Sequence, residues 1–182
     1  MSNALGLVEF KTIPVALEAT DEMLKAAEVD LLLATPICPG KYITIVYGDV
    51  DAVSTSVKRG VHIGGVYIIE SYIIPNASEK IKPALCGVTQ VQRVESLGVI
   101  ESIAAIGAIK VGDIVSKASQ VELIEIRLAR GLGGKGEVIF TGELGSVEAA
   151  SRSALEKLGK EGGIVSSVVI ARPHIKLIEM LL

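Results

Sequence analysis

The chain contains an internal repeat, and this duplication restricts its possible folds more than any other feature. The segment LGLVEF at 5–10 matches LGVIES at 97–102, which lies 92 residues further along the chain. The segment GKYITIVYGDVDAV at 40–53 matches GKGEVIFTGELGSV at 134–147 at an offset of 94 residues. Self-similarity of this kind indicates that one structural unit is present twice.

The repeat continues to the end of each half. The segment SYII at 71–74 matches SVVI at 167–170 at an offset of 96 residues. An offset that grows by two residues from one loop to the next is typical of a diverged duplication, and the joint falls near CGVTQVQRVES at 86–96. We therefore expect two domains of the same fold, residues 1–90 and 94–182.

Each half is predicted to have the same order of elements. In the first half, Thr12 and Asp49 are candidate N-caps of two helices, and Gly60 follows the second helix as an expected C-terminal glycine. The predicted strands are 5–10, 29–34, 41–47 and 66–74, and the predicted helices are 13–28, 50–59 and 78–85. The order βαββαβ with a terminal helix is a split βαβ pattern, which predicts a ferredoxin-like α/β (α+β) domain.

The composition narrows the class of protein. Hydrophobic residues make up 49% of the chain and the mean hydropathy is +0.52, yet no apolar run approaches the roughly 20 residues that span a bilayer. We therefore expect no membrane span and a large apolar interface in an obligate oligomer. The net charge of −3 and the lack of a basic stripe argue against nucleic acid. No signal peptide is recognised, and two cysteines make no disulfide framework, so we expect a cytoplasmic protein.

No motif in the sequence indicates an active site, and the chain is not expected to be an enzyme. The segment GLGGKG at 131–136 fits G-x-G-x-x-G, but a predicted strand follows it where a dinucleotide site needs a helix. His62 and His174 have no partner motif and are interpreted as structural or surface residues. A stand-alone ferredoxin-like enzyme or ligand sensor would need a polar pocket of convergent titratable groups, which the sequence does not indicate.

Cys38 is the residue that most calls for an explanation. It lies in TPICPGKY at 35–42, between Pro36 and Pro39 and just before Gly40, which together predict a stiff turn. A lone cysteine is most often a small buried hydrophobe. The turn argues against that interpretation for Cys38, whereas Cys86 is interpreted as an ordinary core cysteine.

The motifs resemble a known family over nearly the whole chain. LGLVEFKTIPVALEATDEMLKAAEVDLL followed by PGKYITIVYGDVDAV resembles the bacterial microcompartment (BMC) shell domain. The second half repeats it with LGVIES, GDIVSKASQVELI and GKGEVIFTGELGSV, and ends in IARPH. Two such domains resemble the tandem-domain shell proteins. The resemblance implies a homotrimer that mimics a hexamer, contacts with other microcompartment shell proteins, and a place in the shell.

A narrower resemblance concerns the two loops. ICPGK and GLGGK resemble the propanediol-utilisation type of tandem shell protein, whose members carry an iron–sulfur cluster at the centre of the trimer. The resemblance implies one 4Fe–4S cluster per trimer, with three copies of Cys38 as ligands, and electron transfer or cluster transport across the shell. It also implies a redox enzyme inside the compartment as a partner. The implied pore loops comprise Pro36, Ile37, Pro39, Gly40, Gly131, Leu132, Gly133 and Gly134. Zinc held by three thiolates and water is the competing metal, and an empty pore that conducts a small metabolite is the alternative function.

Three cations match positions at the edge of a shell tile in this family. Lys25 and Lys117 occupy corresponding helical positions in the two halves, and Arg172 lies in the ARPH segment. The first half has Asn76 in the segment that corresponds to ARPH, so the arginine contact is expected in one half only. A solvated helix face is the simpler interpretation of the two lysines.

Overall fold

The computed structural model describes residues 4–129 and 131–181, without the side chain of Glu161. It divides the chain into two compact units, the first ending at Ala77 and the second starting at Ser78. Each unit contains one four-stranded antiparallel sheet. Two copies of one fold are therefore present, as the internal repeat predicts.

The first unit has the predicted ferredoxin-like order. Its elements are β1 (Ala4–Phe10), α1 (Ile13–Ala26), β2 (Asp30–Ile37), β3 (Lys41–Gly48), α2 (Val50–Gly64), a short 3₁₀ turn (Gly65–Tyr67) and β4 (Ile68–Ile74). The strand order is β2-β3-β1-β4, so β1 is paired on both sides and β2 is an edge strand. The structure confirms the α/β class and the βαββαβ order in this half.

The second unit repeats this arrangement after one extra helix. Its elements are α3 (Ile81–Cys86), β5 (Ser96–Ser102), α4 (Ala105–Ala118), β6 (Glu122–Leu128), β7 (Gly136–Gly142), α5 (Leu144–Leu158), a 3₁₀ turn (Gly159–Glu161), β8 (Ile164–Ile170) and α6 (Ile175–Leu181). The strand order β6-β7-β5-β8 matches that of the first unit position by position.

Helix α3 belongs to the second unit, whereas the sequence analysis placed residues 78–90 in the first domain. The backbone N–H of Ser78 donates to Asp113 Oδ1 at 2.9 Å, and Lys80 Nζ donates to Glu122 Oε1 at 2.8 Å. The sequence repeat cannot reveal this, because it reports which segments are alike and carries no information on where a joining helix packs.

The strand register locates the first change of repeat offset. Pro36 pairs with Tyr42 across the β2–β3 hairpin, and Leu128 pairs with Gly136 across the β6–β7 hairpin. Leu128 lies 92 residues after Pro36 but Gly136 lies 94 after Tyr42, so two extra residues fall in the loop 129–135. The next change precedes β8, which starts 96 residues after β4, whereas α5 starts 94 residues after α2. The repeats thus differ in length at loops and agree within elements.

The central strand β1 is buried along its whole length. Alternate residues of β1 pack against α1 and α2, because successive side chains of a strand point to opposite faces. The core on this face contains Ala4, Val8, Phe10, Ala16, Ala19, Met23, Tyr42, Val46, Val53 and Val57. On the opposite face Leu5, Leu7 and Glu9 are also buried. Glu9 is therefore a charged residue type in a fully buried strand.

Helix α2 runs through Gly60, where the sequence predicted its end. Gly60 is buried, and a Cβ atom there would overlap Sδ of Met23 on α1. The glycine therefore allows the two helices to pack closely and does not terminate the second one. The true end is marked by Gly65, whose backbone N–H bonds to Val61 O at a positive φ of 48°.

The predicted N-cap positions are correct, but their side chains make no capping bond. Thr12 and Asp49 both have extended backbone at the start of a helix, and neither donates or accepts a side-chain cap hydrogen bond. Strand β2 also extends further than predicted, to Ile37, and includes Pro36. An edge strand tolerates this proline because one side of its backbone makes no ladder bond.

No helix within the described residues is long and apolar enough to cross a membrane.

A tight contact in the second sheet gives the first prediction. Gly98 of β5 is the cross-strand partner of Phe140, which is fully buried, and a methyl group at position 98 would overlap the phenyl ring. We expect Gly98→Ala to lower the free energy of unfolding by about 1–3 kcal/mol, the usual cost of overpacking a core. Urea denaturation at fixed protein concentration measures this change.

Gly145→Ala is the matched control. Gly145 lies in α5 with no atom within 4 Å of the position of a new Cβ, so the same substitution is expected to raise stability by about 0.4–1 kcal/mol. Equal effects of the two substitutions would contradict the packing of Phe140 on Gly98.

Candidate functional site

The Cys38 hairpin, defined as residues 36–42, is the candidate site in the first unit. Strands β2 and β3 are joined by the turn Cys38, Pro39 and Gly40, and Ile37 pairs with Lys41 at its base. Gly40 has φ +72°, a left-handed conformation that glycine adopts without strain. The Cys38 side chain is free and half-buried. The strand pairing thus presents one thiol at the tip of a short turn.

The base of this hairpin is bonded to the central strand. Lys41 Nζ donates to Glu9 Oε1 at 2.8 Å, and Glu9 is 0% exposed. The sequence analysis missed this pair. A signal was available, since Glu9 interrupts the apolar strand LGLVEF and Lys41 directly follows the turn.

The second loop, residues 129–135, differs in length and chemistry. Gly131, Gly133 and Gly134 all have positive φ, and Lys135 N donates to Leu132 O at 3.2 Å within the loop. The loop leads directly into strand β7, so the absence of a helix after GLGGKG is confirmed and the motif does not form a dinucleotide fingerprint. The described part of the loop offers glycine and leucine where the first hairpin offers a thiol.

The described residues of a single chain do not form a complete metal site at the Cys38 hairpin. Within the described residues, no group of three or more His, Cys, Asp or Glu side chains is arranged to hold a metal ion. Any metal centre at Cys38 would need ligands from other copies of the chain. The metal-binding role of Cys38 therefore stays a prediction at this point.

The two predicted edge lysines lie in equivalent places. Lys25 forms an ion pair with Asp21 in the last turn of α1, and Lys117 pairs with Asp113 at 2.7 Å in α4, both at a spacing of four residues. The hydrogen bond that Lys25 Nζ donates to the Asp21 carboxylate raises the pKa of Lys25 above its ordinary value. Arg172 is exposed on the bend after β8. Their contact with neighbouring tiles stays a prediction.

An open groove in the first unit has a volume of about 430 Å³. It lies between α2 and β4 and is lined by Val57, Lys58, Val61, Ser71, Tyr72 and Ile73. Among the described residues of this lining, lysine and tyrosine are the titratable ones, so they provide no carboxylate or imidazole for acid–base chemistry. The groove does not favour the enzyme alternative.

Cys86 is exposed, so its interpretation as a core cysteine is wrong. Helix α3 is short and buries only Ile81 and Ala84, and Cys86 is its last residue. His62 and His174 are also exposed, as expected of surface residues. The Nδ1 atom of His174 accepts a hydrogen bond from the backbone N–H of Lys176 at 3.2 Å.

Comparison with known proteins identifies the family. The BMC domain model matches residues 4–77 and again residues 96–173. These matched segments together cover most of the chain. The chain therefore belongs to the BMC-domain family and carries two copies of the domain in tandem.

Individual relatives agree with this assignment. The chain is 36% identical over 174 residues to the bacterial microcompartment shell protein PduT of Citrobacter freundii, covering 96% of this chain and 95% of that protein. It is 35% identical over 89 residues to the carboxysome shell protein CcmK2 of a Synechocystis species, covering 47% of this chain and 86% of that protein. The chain is thus a structural shell protein of a bacterial microcompartment.

Solved structures show the same two-domain fold. A microcompartment protein from Desulfitobacterium hafniense DCB superposes with a TM-score of 0.93 at 38% identity, covering 98% of this chain and 99% of that one. The fused permuted hexameric shell protein MSM0275 from the RMM microcompartment gives a TM-score of 0.65 at 23% identity, covering 88% and 83%. The second likeness concerns the fold alone.

The exposure of Cys86 gives the second prediction. We expect Cys86→Ser to change the free energy of unfolding by no more than about 0.5 kcal/mol, because an exposed hydroxyl remains solvated. Urea denaturation of the unmodified protein and of the Cys86→Ser variant measures the difference. A loss well above 1 kcal/mol would show that the sulfur is buried in the folded protein.

Proposed function

We propose that this shell protein assembles as a homotrimer whose six BMC domains form a pseudohexameric tile, and that three Cys38 thiolates at its centre hold one 4Fe–4S cluster. The placement of Cys38 carries the proposal, since its half-buried thiol lies at the tip of a short, strand-paired turn. The similarity to PduT over 96% of the chain supports a tandem shell tile.

The donor set fits an iron–sulfur cluster. Cysteine thiolates are the usual ligands of such clusters, commonly four in number. Three copies of Cys38 provide three, which leaves one iron for a ligand from outside the protein. Since one chain offers only one thiol at this site, assembly is required for binding. Three thiolates with one water would also suit zinc, so the metal content must be measured.

Each part of the hairpin has a definite task in this arrangement. Pro39 fixes its own φ and Gly40 adopts the left-handed conformation, so the turn has little freedom to rotate the thiol away. The second loop offers no thiol in its described residues and would surround the centre with backbone and Leu132. A 4Fe–4S cluster bound here would supply one-electron redox chemistry.

This location suggests what the tile does for the compartment. A redox group in the middle of a shell tile would pass electrons, or cluster material, between the two sides of the shell. A redox enzyme inside the compartment would then be a partner, and other shell proteins would contact the tile edges. A tile whose open pore conducts a small metabolite is the outcome if no metal binds.

The third prediction concerns metal content. We expect Cys38→Ser to abolish iron binding and the broad visible absorbance near about 400 nm, because the variant lacks every thiolate ligand of the cluster. The trimer is expected to remain intact. Iron and zinc per trimer are counted after anaerobic reconstitution, with about four irons expected for the unmodified protein.

Cys86→Ser is the matched control for that experiment. It removes the chain's other free cysteine, which lies on the surface of the second unit, and should leave the iron content unchanged. Equal iron in the two variants would exclude Cys38 as the ligand. If the unmodified protein contains zinc but no iron, the site is a zinc site and not a cluster. If it contains no metal, the open pore is favoured.

The fourth prediction concerns assembly. Sedimentation is expected to show three chains per particle, because the high apolar content of the chain favours a large interface and three chains with two BMC domains each supply the six domains of the proposed tile. We expect the double variant Lys25→Asp, Lys117→Asp to keep this trimer but to lose ordered sheets, since we propose that both side chains contact neighbouring tiles. Sedimentation measures the trimer, and electron microscopy of assembled protein shows whether ordered sheets form.

A control with the same change in net charge is available. Lys157→Asp, Lys160→Asp alters two lysines exposed near the end of α5 and should still form sheets. Sheet formation by the Lys25→Asp, Lys117→Asp variant would disprove the edge assignment, and a stable monomer of the unmodified chain would disprove the tile.

A further inference from the structure

Glu9 is a buried acid, and one of its two carboxylate oxygens has a partner among the described residues. Its Oε1 accepts the hydrogen bond from Lys41 Nζ at 2.8 Å, while its Oε2 is buried without any hydrogen-bond partner. The side chain of Glu9 is 0% exposed and that of Lys41 is 25% exposed. A carboxylate in such a place depends on its cation, because removing one partner of a buried ion pair leaves an uncompensated charge. The buried charge of Glu9 therefore favours conformations in which the Lys41 side chain stays in contact with it.

This connection joins the Cys38 hairpin to the centre of the sheet. Glu9 is on β1, which is hydrogen-bonded to a strand on each side. Glu9 pairs with Ile43, so Lys41 is its diagonal neighbour on the same face of the sheet. Lys41 is also the first residue of β3 and the cross-strand partner of Ile37, which directly precedes Cys38. The ion pair thus connects the base of the turn to β1, the inner strand beside β3 that is buried along its whole length.

The second unit has the same connection in a weaker form. Lys135, at the end of the second loop, donates to Glu101 Oε1 of β5 at 2.6 Å. Its side chains are more exposed than those of the first pair, 40% for Lys135 and 25% for Glu101. The loop that it closes is longer and has no thiol in its described residues. The more buried of the two pairs therefore lies beside the cysteine.

We propose that Glu9 is a positioning residue that holds the Cys38 hairpin in place through Lys41, so that Cys38 has the same orientation in every copy of the chain. Its effect on a bound cluster rests on the proposed function; its effect on the hairpin does not. A cluster shared by three chains needs three thiols that stay in place independently, since no covalent bond connects one hairpin to the next.

Hydrogen exchange of the metal-free protein tests the anchoring directly. In Glu9→Gln, which keeps the size of the side chain, we expect amides of residues 37–43 to exchange about tenfold faster or more, because the ion pair is replaced by a weaker hydrogen bond to a neutral amide oxygen. Lys41→Arg keeps the cation and is expected to retain most of the protection. The neutral double variant Glu9→Gln, Lys41→Met loses the ion pair without leaving a buried charge and should resemble Glu9→Gln.

Glu101→Gln is the matched control. It removes the corresponding ion pair of the second unit and should speed exchange in residues 129–136 while leaving residues 37–43 unchanged. Unchanged exchange at 37–43 in both the Glu9→Gln variant and the double variant would overturn the proposal. So would equal loss of protection throughout the first unit, which would make Glu9 a general stability residue.

Iron release then separates this inference from the proposed function. After reconstitution, iron should pass to a chelator several-fold faster from Glu9→Gln than from Glu101→Gln or the unmodified protein. The reason is that Glu9→Gln loses the contact that holds the Cys38 hairpin in place. Equal release rates would overturn the role of Glu9 towards the cluster. If the unmodified protein binds no iron, the cluster is disproved, and the exchange data alone decide whether Glu9 anchors the hairpin.

Discussion

The antiparallel pairing of the central strands β1 and β5 is the constraint on which the rest of this structure depends. Each is hydrogen-bonded to a neighbour on both sides, which fixes the register of β3 and β4 in the first unit and of β7 and β8 in the second. The edge strands β2 and β6 take their register in turn from β3 and β7. A shift of one residue would turn the core-facing side chains of the strand to the opposite face. The hairpin that carries Cys38 is therefore placed by the sheet, and its own turn has only to aim the thiol.

The duplication shows how one scaffold supports two different loops. Both sheets have the same strand order, and corresponding elements of the two repeats agree in length to within one residue. The first hairpin turns through three residues with a thiol, and the second extends over residues 129–135 with three glycines at positive φ. Loops tolerate such changes because the sheet beneath them holds the backbone. The two repeats thus differ in the length and composition of this loop without any change of fold.

Sequence alone predicted the fold well and the contacts less well. The spacing of apolar residues and the internal repeat can both be seen in the sequence without knowing any contact. The order of elements and the turn at Cys38 could therefore be predicted from them. Gly60, Cys86 and the packing of helix α3 were misjudged, because each depends on what the folded chain brings near. The pairing of Glu9 with Lys41 was missed for the same reason, since strand register places together residues that lie 32 positions apart.

The central claim is that Cys38 binds metal jointly with two other copies of itself. Anomalous diffraction at the iron edge, from crystals of protein purified without air, tests it most directly. We expect iron density of one cluster centred on the threefold axis of the trimer, with the sulfur atom of each of the three Cys38 residues bonded to a different iron. A trimer without that peak, or iron bound away from Cys38, would contradict it.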